Sequence, residues 1–141
     1  KTSQVRRERE HPPGPGPGDR FADIPRGDRC RGVLRLRFDD VDVEIAGFEP
    51  FTPEQALEAR DFLEQTDAHL LVCQCDYGIS RSAGMAAAVA CVHGLDADRF
   101  FTQGRYDPNL LVMERMLQAY RFPSLDRVME RCRRLSTGTE W

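Results

Sequence analysis

Apolar positions along the chain recur with two different periods. Val33-Leu-Arg-Leu-Arg-Phe38 alternates apolar and basic residues, which predicts a half-exposed strand. Leu70-Leu-Val-Cys73 runs apolar or β-prone without a break to Gln74 and Cys75, which predicts a buried strand. Between them, Thr52-Pro-Glu-Gln55 opens a helix: Thr52 caps, proline takes the first helical position and Gln55 closes a capping box. Ala56, Ala59, Phe62 and Leu63 then share one face and carry that helix to about Thr66. Strand, helix and strand in this order predict a right-handed crossover with parallel pairing. The alanine-rich segment Ala83 to Cys91 predicts a buried helix ending at Gly94. Tyr106-Asp-Pro-Asn109 predicts a turn, followed by an amphipathic helix carrying Leu110, Leu111, Met113, Leu117 and Tyr120. A last helix runs from Ser124 to Leu135, with Arg127, Arg131, Arg133 and Arg134 as a solvated face.

The first 31 residues are less regular. Lys1 to Val5 reads as a short edge strand. His11-Pro-Pro-Gly-Pro-Gly-Pro-Gly18 reads as a surface loop, because proline lacks the backbone donor and glycine loses entropy in any regular element. Residues 1–31 are therefore taken as an N-terminal strand and Pro/Gly-rich loop of the same domain, and 32–141 as the domain proper. A chain of 141 residues suits one hydrophobic core. With 40% hydrophobic and 30% charged residues it reads as globular, and no apolar run approaches a membrane span. A net charge of −3 gives no electrostatic footprint for nucleic acid or an anionic membrane, and a monomer is expected. Arginine supplies all the basic residues except Lys1, which suggests GC-rich coding and a bacterial source. The start at Lys1 instead of methionine reads as a trimmed chain. The five cysteines (Cys30, Cys73, Cys75, Cys91 and Cys132) are odd in number and lack paired spacing, which points to a reducing cytoplasm. Cys73-x-Cys75 with Cys91-x-His93 imitates a set of zinc ligands, but two residues two apart on a helix diverge, so no metal and no cofactor is expected.

The chemistry concentrates in Cys75-Asp-Tyr-Gly-Ile-Ser-Arg81-Ser82. A tight loop running from a strand into a helix N-terminus aims backbone N–H groups at one centre, where a phosphate or similar oxyanion is held. Arginine at the loop's end grips two phosphate oxygens with its planar fork. A cysteine in that positive field ionises near neutral pH and becomes a nucleophile, although a cysteine closing a buried strand is also a common inert core residue. Cysteine, five residues, arginine and serine resemble the signature loop of the cysteine-based protein-tyrosine phosphatases, and Gly78 with Ile79-Ser80 is most similar to the dual-specificity branch.

The resemblance implies an α/β fold with a central, mostly parallel sheet flanked by helices, and a metal-free hydrolysis of phosphate monoesters. Cys75 would form a phosphocysteine, Arg81 would hold the phosphoryl charge, and Ser82 would donate a hydrogen bond to the sulfur when it leaves. Asp76, Tyr77, Gly78, Ile79 and Ser80 would contribute phosphate-binding amides, with Gly78 allowing a positive φ and Gly84 letting the helix pack tightly on the sheet. The leaving oxygen needs a proton, and the family takes it from an aspartate at the end of an upstream strand, here Asp40, 35 positions before Cys75. Asp39 and Asp42 are the alternatives, and an acidic cluster after a strand is also an ordinary solvated turn. Some bacterial phosphatase-like proteins carry a similar Tyr-x-Pro-Asn, which implies that Asn109 braces the loop, an ordinary helix cap being the alternative. Two departures stand out: Gln74 replaces the family's histidine, and Asp76 makes the loop acidic where a polyphosphoinositide site would stack cations. The expected substrate is therefore a phosphoprotein, on phosphotyrosine and in the dual-specificity case phosphoserine or phosphothreonine, or a small aryl phosphate. A catalytically impaired phosphate-binding module, and a sulfur-transfer or arsenate-reducing enzyme, are the rival readings. Cys73 is either a redox partner of Cys75 or a plain strand residue.

Overall fold

A computed structural model of the chain describes residues 29–138 and the short strand at 5–7. The expected strand over Lys1–Val5 and the loop over His11–Gly18 lie, Val5 apart, outside the described residues.

Five helices dominate the described residues: α1 (Pro53–Gln65), α2 (Arg81–Val92), α3 (Arg99–Thr102), α4 (Leu110–Ala119) and α5 (Leu125–Thr137). Strand β1 (Val5–Arg7) pairs in parallel with β2 (Gly32–Leu34), in the register Val5 to Gly32 and Arg7 to Leu34. The central parallel sheet expected from the sequence is absent from the described residues, and the α/β fold class is corrected accordingly. Residues 70–75 form no regular element and belong to no ladder, and the pairing expected between them and 33–38 does not form. Leu70 is 78% and Val72 74% exposed, so the run read as a buried strand faces outward. A short apolar run is compatible with pairing on both sides, but whether it pairs depends on neighbours that its own residues do not specify.

The core closes helix on helix instead. Its largest fully buried side chains are Phe51, Val112, Met113, Met116, Leu117 and Met129, contributed mainly by α4. That helix packs against α1, α2 and α5, which makes it the central element of the fold. Each such side chain contributes about 1.5–3 kcal/mol relative to exposure, so α4 carries much of the stability. Helix α1 brings Ala56 and Ala59 into the same core and buries Phe62 as well, and its capping box forms as the sequence predicts. Gln55 N donates to Thr52 Oγ1 at 3.1 Å, and Thr52 N donates to Gln55 Oε1 at 3.0 Å. Gln55 Nε2 also donates to Arg37 O at 2.8 Å, which ties the helix start to the segment leading into the acidic cluster.

Helix α2 lies against the start of α4 with no room between. A Cβ placed on Gly84 would come 2.5 Å from Asn109 O and 3.2 Å from Val112 Cβ. Gly84 therefore serves the α2–α4 contact, and its expected packing on a sheet is corrected. Helix α3, four residues long, is an element the hydrophobic pattern does not announce.

Candidate active site

Three segments meet at the N-terminus of α2. The loop 75–80 runs into the helix, with Gly78 at φ +66 making the turn that a side chain would disfavour. Ser80 O ends the loop by accepting from Gly84 N at 2.9 Å, the first turn of α2, and from Asn109 N at 3.0 Å, the start of α4. Asp107 N donates to Ile79 O at 3.0 Å. The turn 106–109 is thus stitched to the loop along its backbone, so α2 and α4 enter the site as one unit.

The thiol of Cys75 lies 3.2 Å from Ser82 Oγ. Partial burial works to raise its pKa, but hydrogen bonds from the Ser82 hydroxyl and from the N–H groups of Ser82, Gly78 and Ile79 outweigh it, and the net shift is downward. These donors stabilise the thiolate as an oxyanion nest stabilises an anion. Cys73 behaves in the opposite way: burial, reinforced by the neighbouring Cys75 charge, pushes it up to about 11. Cys91 is raised, and Cys132 is pushed up to about 12, chiefly by burial. Cys75 alone among these four thiols is shifted toward ionisation.

Arg81, the first residue of α2, reaches back over the loop. Its Nη1 donates to Phe38 O at 3.0 Å and its Nη2 to Asp76 Oδ2 at 3.2 Å. Phe38 is anchored in turn by its ring against Phe51, centroids 4.8 Å apart, so the arginine is referenced to the core.

The acidic segment sorts its carboxylates. Asp39 turns away from the loop: its N–H donates to Glu49 O at 2.6 Å, and its Oδ2 accepts from Glu49 N at 2.7 Å, closing the excursion 39–49. Asp40 faces the site instead. Its Oδ1 accepts from Ser80 Oγ at 2.8 Å and from Asn109 Nδ2 at 2.9 Å. Asn109 is 4% exposed, caps α4 by accepting from Val112 N at 3.1 Å, and donates also to Val41 O at 3.1 Å. Asp42 is exposed. Arg115 of α4 holds the far side of the excursion, 3.7 Å from Glu44 and bonded to Phe51 O.

Asp40, Cys75, Tyr77, Ile79, Ser80, Arg81 and Asp107 line a single cleft of about 250 Å³. The structure thus brings Cys75, Arg81, Asp40 and Ser82 to one place, together with the loop amides. Gln74 is exposed. Two cleft features were not legible beforehand. Asp107 lines the cleft; its only sequence signal is its place two residues before Asn109. The Asp76 carboxylate, from a residue expected to contribute mainly through its backbone amide, pairs with Arg81 of the lining. No group of three or more His, Cys, Asp and Glu arranged to hold a metal ion occurs among the described residues, and no helix there is long and apolar enough to cross a membrane. Comparison of the chain with protein-family models, with curated proteins and with solved structures finds no match in any of the three.

Proposed function

We propose that this chain is a metal-independent phosphate-monoester hydrolase of the cysteine-based protein-tyrosine phosphatase type, acting on phosphotyrosine and, if dual-specific, on phosphoserine or phosphothreonine. The observation that carries the reading is the Cys75 thiol, drawn toward its ionised form by Ser82 and two loop amides in the cleft that also holds Arg81 and Asp40. The reading rests on this loop and its neighbours and not on the fold, whose helical core lacks the sheet that the resemblance implied.

The Cys75 thiolate attacks phosphorus as the ester oxygen departs. Arg81 and the N–H groups of the loop take the negative charge spread over the equatorial oxygens, with the N-terminus of α2 adding its partial positive charge. Asp40 gives the leaving oxygen its proton and then takes one from the water that attacks the phosphocysteine. The Ser82 hydroxyl donates to the departing sulfur, lowering the energy of the thiolate in that second step. Tyr77, 85% exposed, and Ile79 supply an apolar rim on which an aryl group can pack. A monomer working in a reducing, cytoplasmic setting of bacterial origin fits this chemistry, since an oxidised Cys75 cannot attack.

The test is turnover of p-nitrophenyl phosphate with a chelator present. Hydrolysis abolished by Cys75→Ser and blocked by vanadate supports the enzyme. A second reading, a phosphate-binding module without turnover, is favoured by Gln74 at the position of the family's histidine. Absence of hydrolysis with retained phosphopeptide binding would establish that reading instead.

A further inference from the structure

Arg81 is the cationic side chain of the cleft, and its fork is already engaged. Nη2 donates to Asp76 Oδ2 at 3.2 Å and Nη1 to a backbone carbonyl, Phe38 O, at 3.0 Å. Asp76 follows the nucleophile directly in the chain, and its carboxylate holds the guanidinium that would grip the phosphoryl group. We propose that Asp76 is a specificity-determining residue: it competes with the phosphoryl group for Arg81 and, once displaced, selects phosphopeptides that carry lysine or arginine next to the phosphorylated residue.

The inference rests on the phosphate-ester reading of the cleft and goes beyond it. A phosphoryl group that takes the arginine fork would otherwise share one guanidinium with a second anion. The Asp76 side chain is 82% exposed while Arg81 is 22% exposed, so the carboxylate yields and the arginine stays. Displacement leaves Asp76 charged and without its ion pair, next in the chain to Cys75 and Tyr77 of a cleft whose charged lining residues are Arg81, Asp40 and Asp107. An acidic flank on the substrate meets like charge there. A basic flank gives Asp76 a new partner in place of Arg81. A unit charge a few ångströms away at a solvent-exposed rim alters binding by up to about fivefold, attraction on one flank and repulsion on the other multiplying in the ratio of the two. The same balance disfavours polyphosphorylated small molecules, whose additional phosphates would face Asp76, Asp40 and Asp107.

The test uses two fluorescein-labelled phosphotyrosine peptides of equal length, one flanked by lysine and one by glutamate, titrated into the full chain bearing Cys75→Ser and read by anisotropy. The lysine-flanked peptide is expected to bind about tenfold tighter at low ionic strength, with the preference shrinking as salt rises. Adding Asp76→Asn, or Asp76→Ser, reduces the preference to about threefold or less, mainly by tightening the glutamate-flanked peptide. In the chain with Cys75 intact, the same ordering appears in KM and not in kcat. Binding of both peptides with equal affinity, or a preference unchanged by Asp76→Asn, overturns the role of Asp76 and leaves the phosphatase reading standing. Failure of both peptides to bind, with no turnover by the unmodified chain, removes both.

Discussion

Asn109 Nδ2 donates to Asp40 Oδ1 across 69 positions of sequence, at 2.9 Å, while the same side chain's oxygen caps α4. One amide therefore uses its acceptor for the fold and its donor for the site. The two can be separated by substitution. Asn109→Ser keeps an oxygen acceptor of the N-cap type for Val112 N but removes the amide donor to Asp40. The expected outcome is a midpoint of urea unfolding closer to the parent's than that of Asn109→Ala, with hydrolysis of phosphotyrosine reduced by about tenfold or more through the misplaced acid. Asn109→Ala loses both functions and should lower stability by about 1 kcal/mol as well. Equal loss of stability in the two variants would show that the cap and the Asp40 bond do not separate.

The choice between Asp40 and Asp39 has its own kinetic signature. A leaving-group acid matters most when the departing oxygen is basic. Asp40→Asn should depress hydrolysis of an alkyl or phenyl phosphate by about 10²–10⁴-fold and that of p-nitrophenyl phosphate far less. Asp39→Asn removes a charge but keeps an oxygen to accept from Glu49 N at the closure of the 39–49 excursion, and should slow both substrates equally and weakly. Steady-state rates across a series of phenols of different pKa distinguish the two.

The pH dependence of Cys75 follows from the sign of its shift. Its pKa lies below the ordinary thiol value because the donors of Ser82, Gly78 and Ile79 outweigh burial. The reactive thiolate therefore persists at lower pH than for a free cysteine. Alkylation by iodoacetamide, followed by mass spectrometry, should show Cys75 modified first, with a rate midpoint lower than that of an ordinary free cysteine. Ser82→Ala removes the side-chain donor and moves that midpoint upward. Cys73, pushed up to about 11, should stay unmodified through the same range.

The loop was legible in the sequence because its chemistry is local: Cys75, Gly78, Arg81 and Ser82 lie within one turn and one helix start, and a short spacing fixes what they can do together. The four longer helices were legible for the same reason, with Thr52 and Gln55 closing their box and Asn109 capping α4. Asp40 was found only through the resemblance, and its selection over Asp39 depends on which carboxylate Glu49 N occupies, a fact of the folded excursion. The sheet was misread because pairing is a property of two segments. Leu70, Leu71 and Val72 carry the apolar pattern of a buried strand but are exposed, while the core is closed by Met113, Met116 and Leu117 of α4 among the helices around it. The Asp76–Arg81 pair was missed for a related reason: five positions apart on a loop, the two side chains meet only once Gly78 has turned the backbone.

Gly84 tests the joint between α2 and α4. A methyl group there meets backbone, Asn109 O at 2.5 Å, which cannot rotate aside. Gly84→Ala should gain slightly in helix propensity yet lose about 1–3 kcal/mol overall by overpacking, measured by denaturant unfolding. Because the atom displaced belongs to Asn109, activity should fall further than the stability loss alone accounts for at temperatures where the protein remains folded.

The helical core and the outward-facing segment 70–72 make opposite predictions for apolar residues of equal hydrophobicity. Leu117 is fully buried, and Leu117→Ala should cost about 2–5 kcal/mol in transfer and cavity terms. Leu70 and Val72 are 78% and 74% exposed, so Leu70→Thr and Val72→Thr should each change stability by no more than about 0.5 kcal/mol. The side chains of a sheet's central strand would respond as Leu117 does. Urea midpoints for the three variants therefore decide between a core closed helix on helix and one closed on a strand at 70–75: losses at Leu70 and Val72 comparable to that at Leu117 would place this segment inside the protein and overturn the arrangement described above.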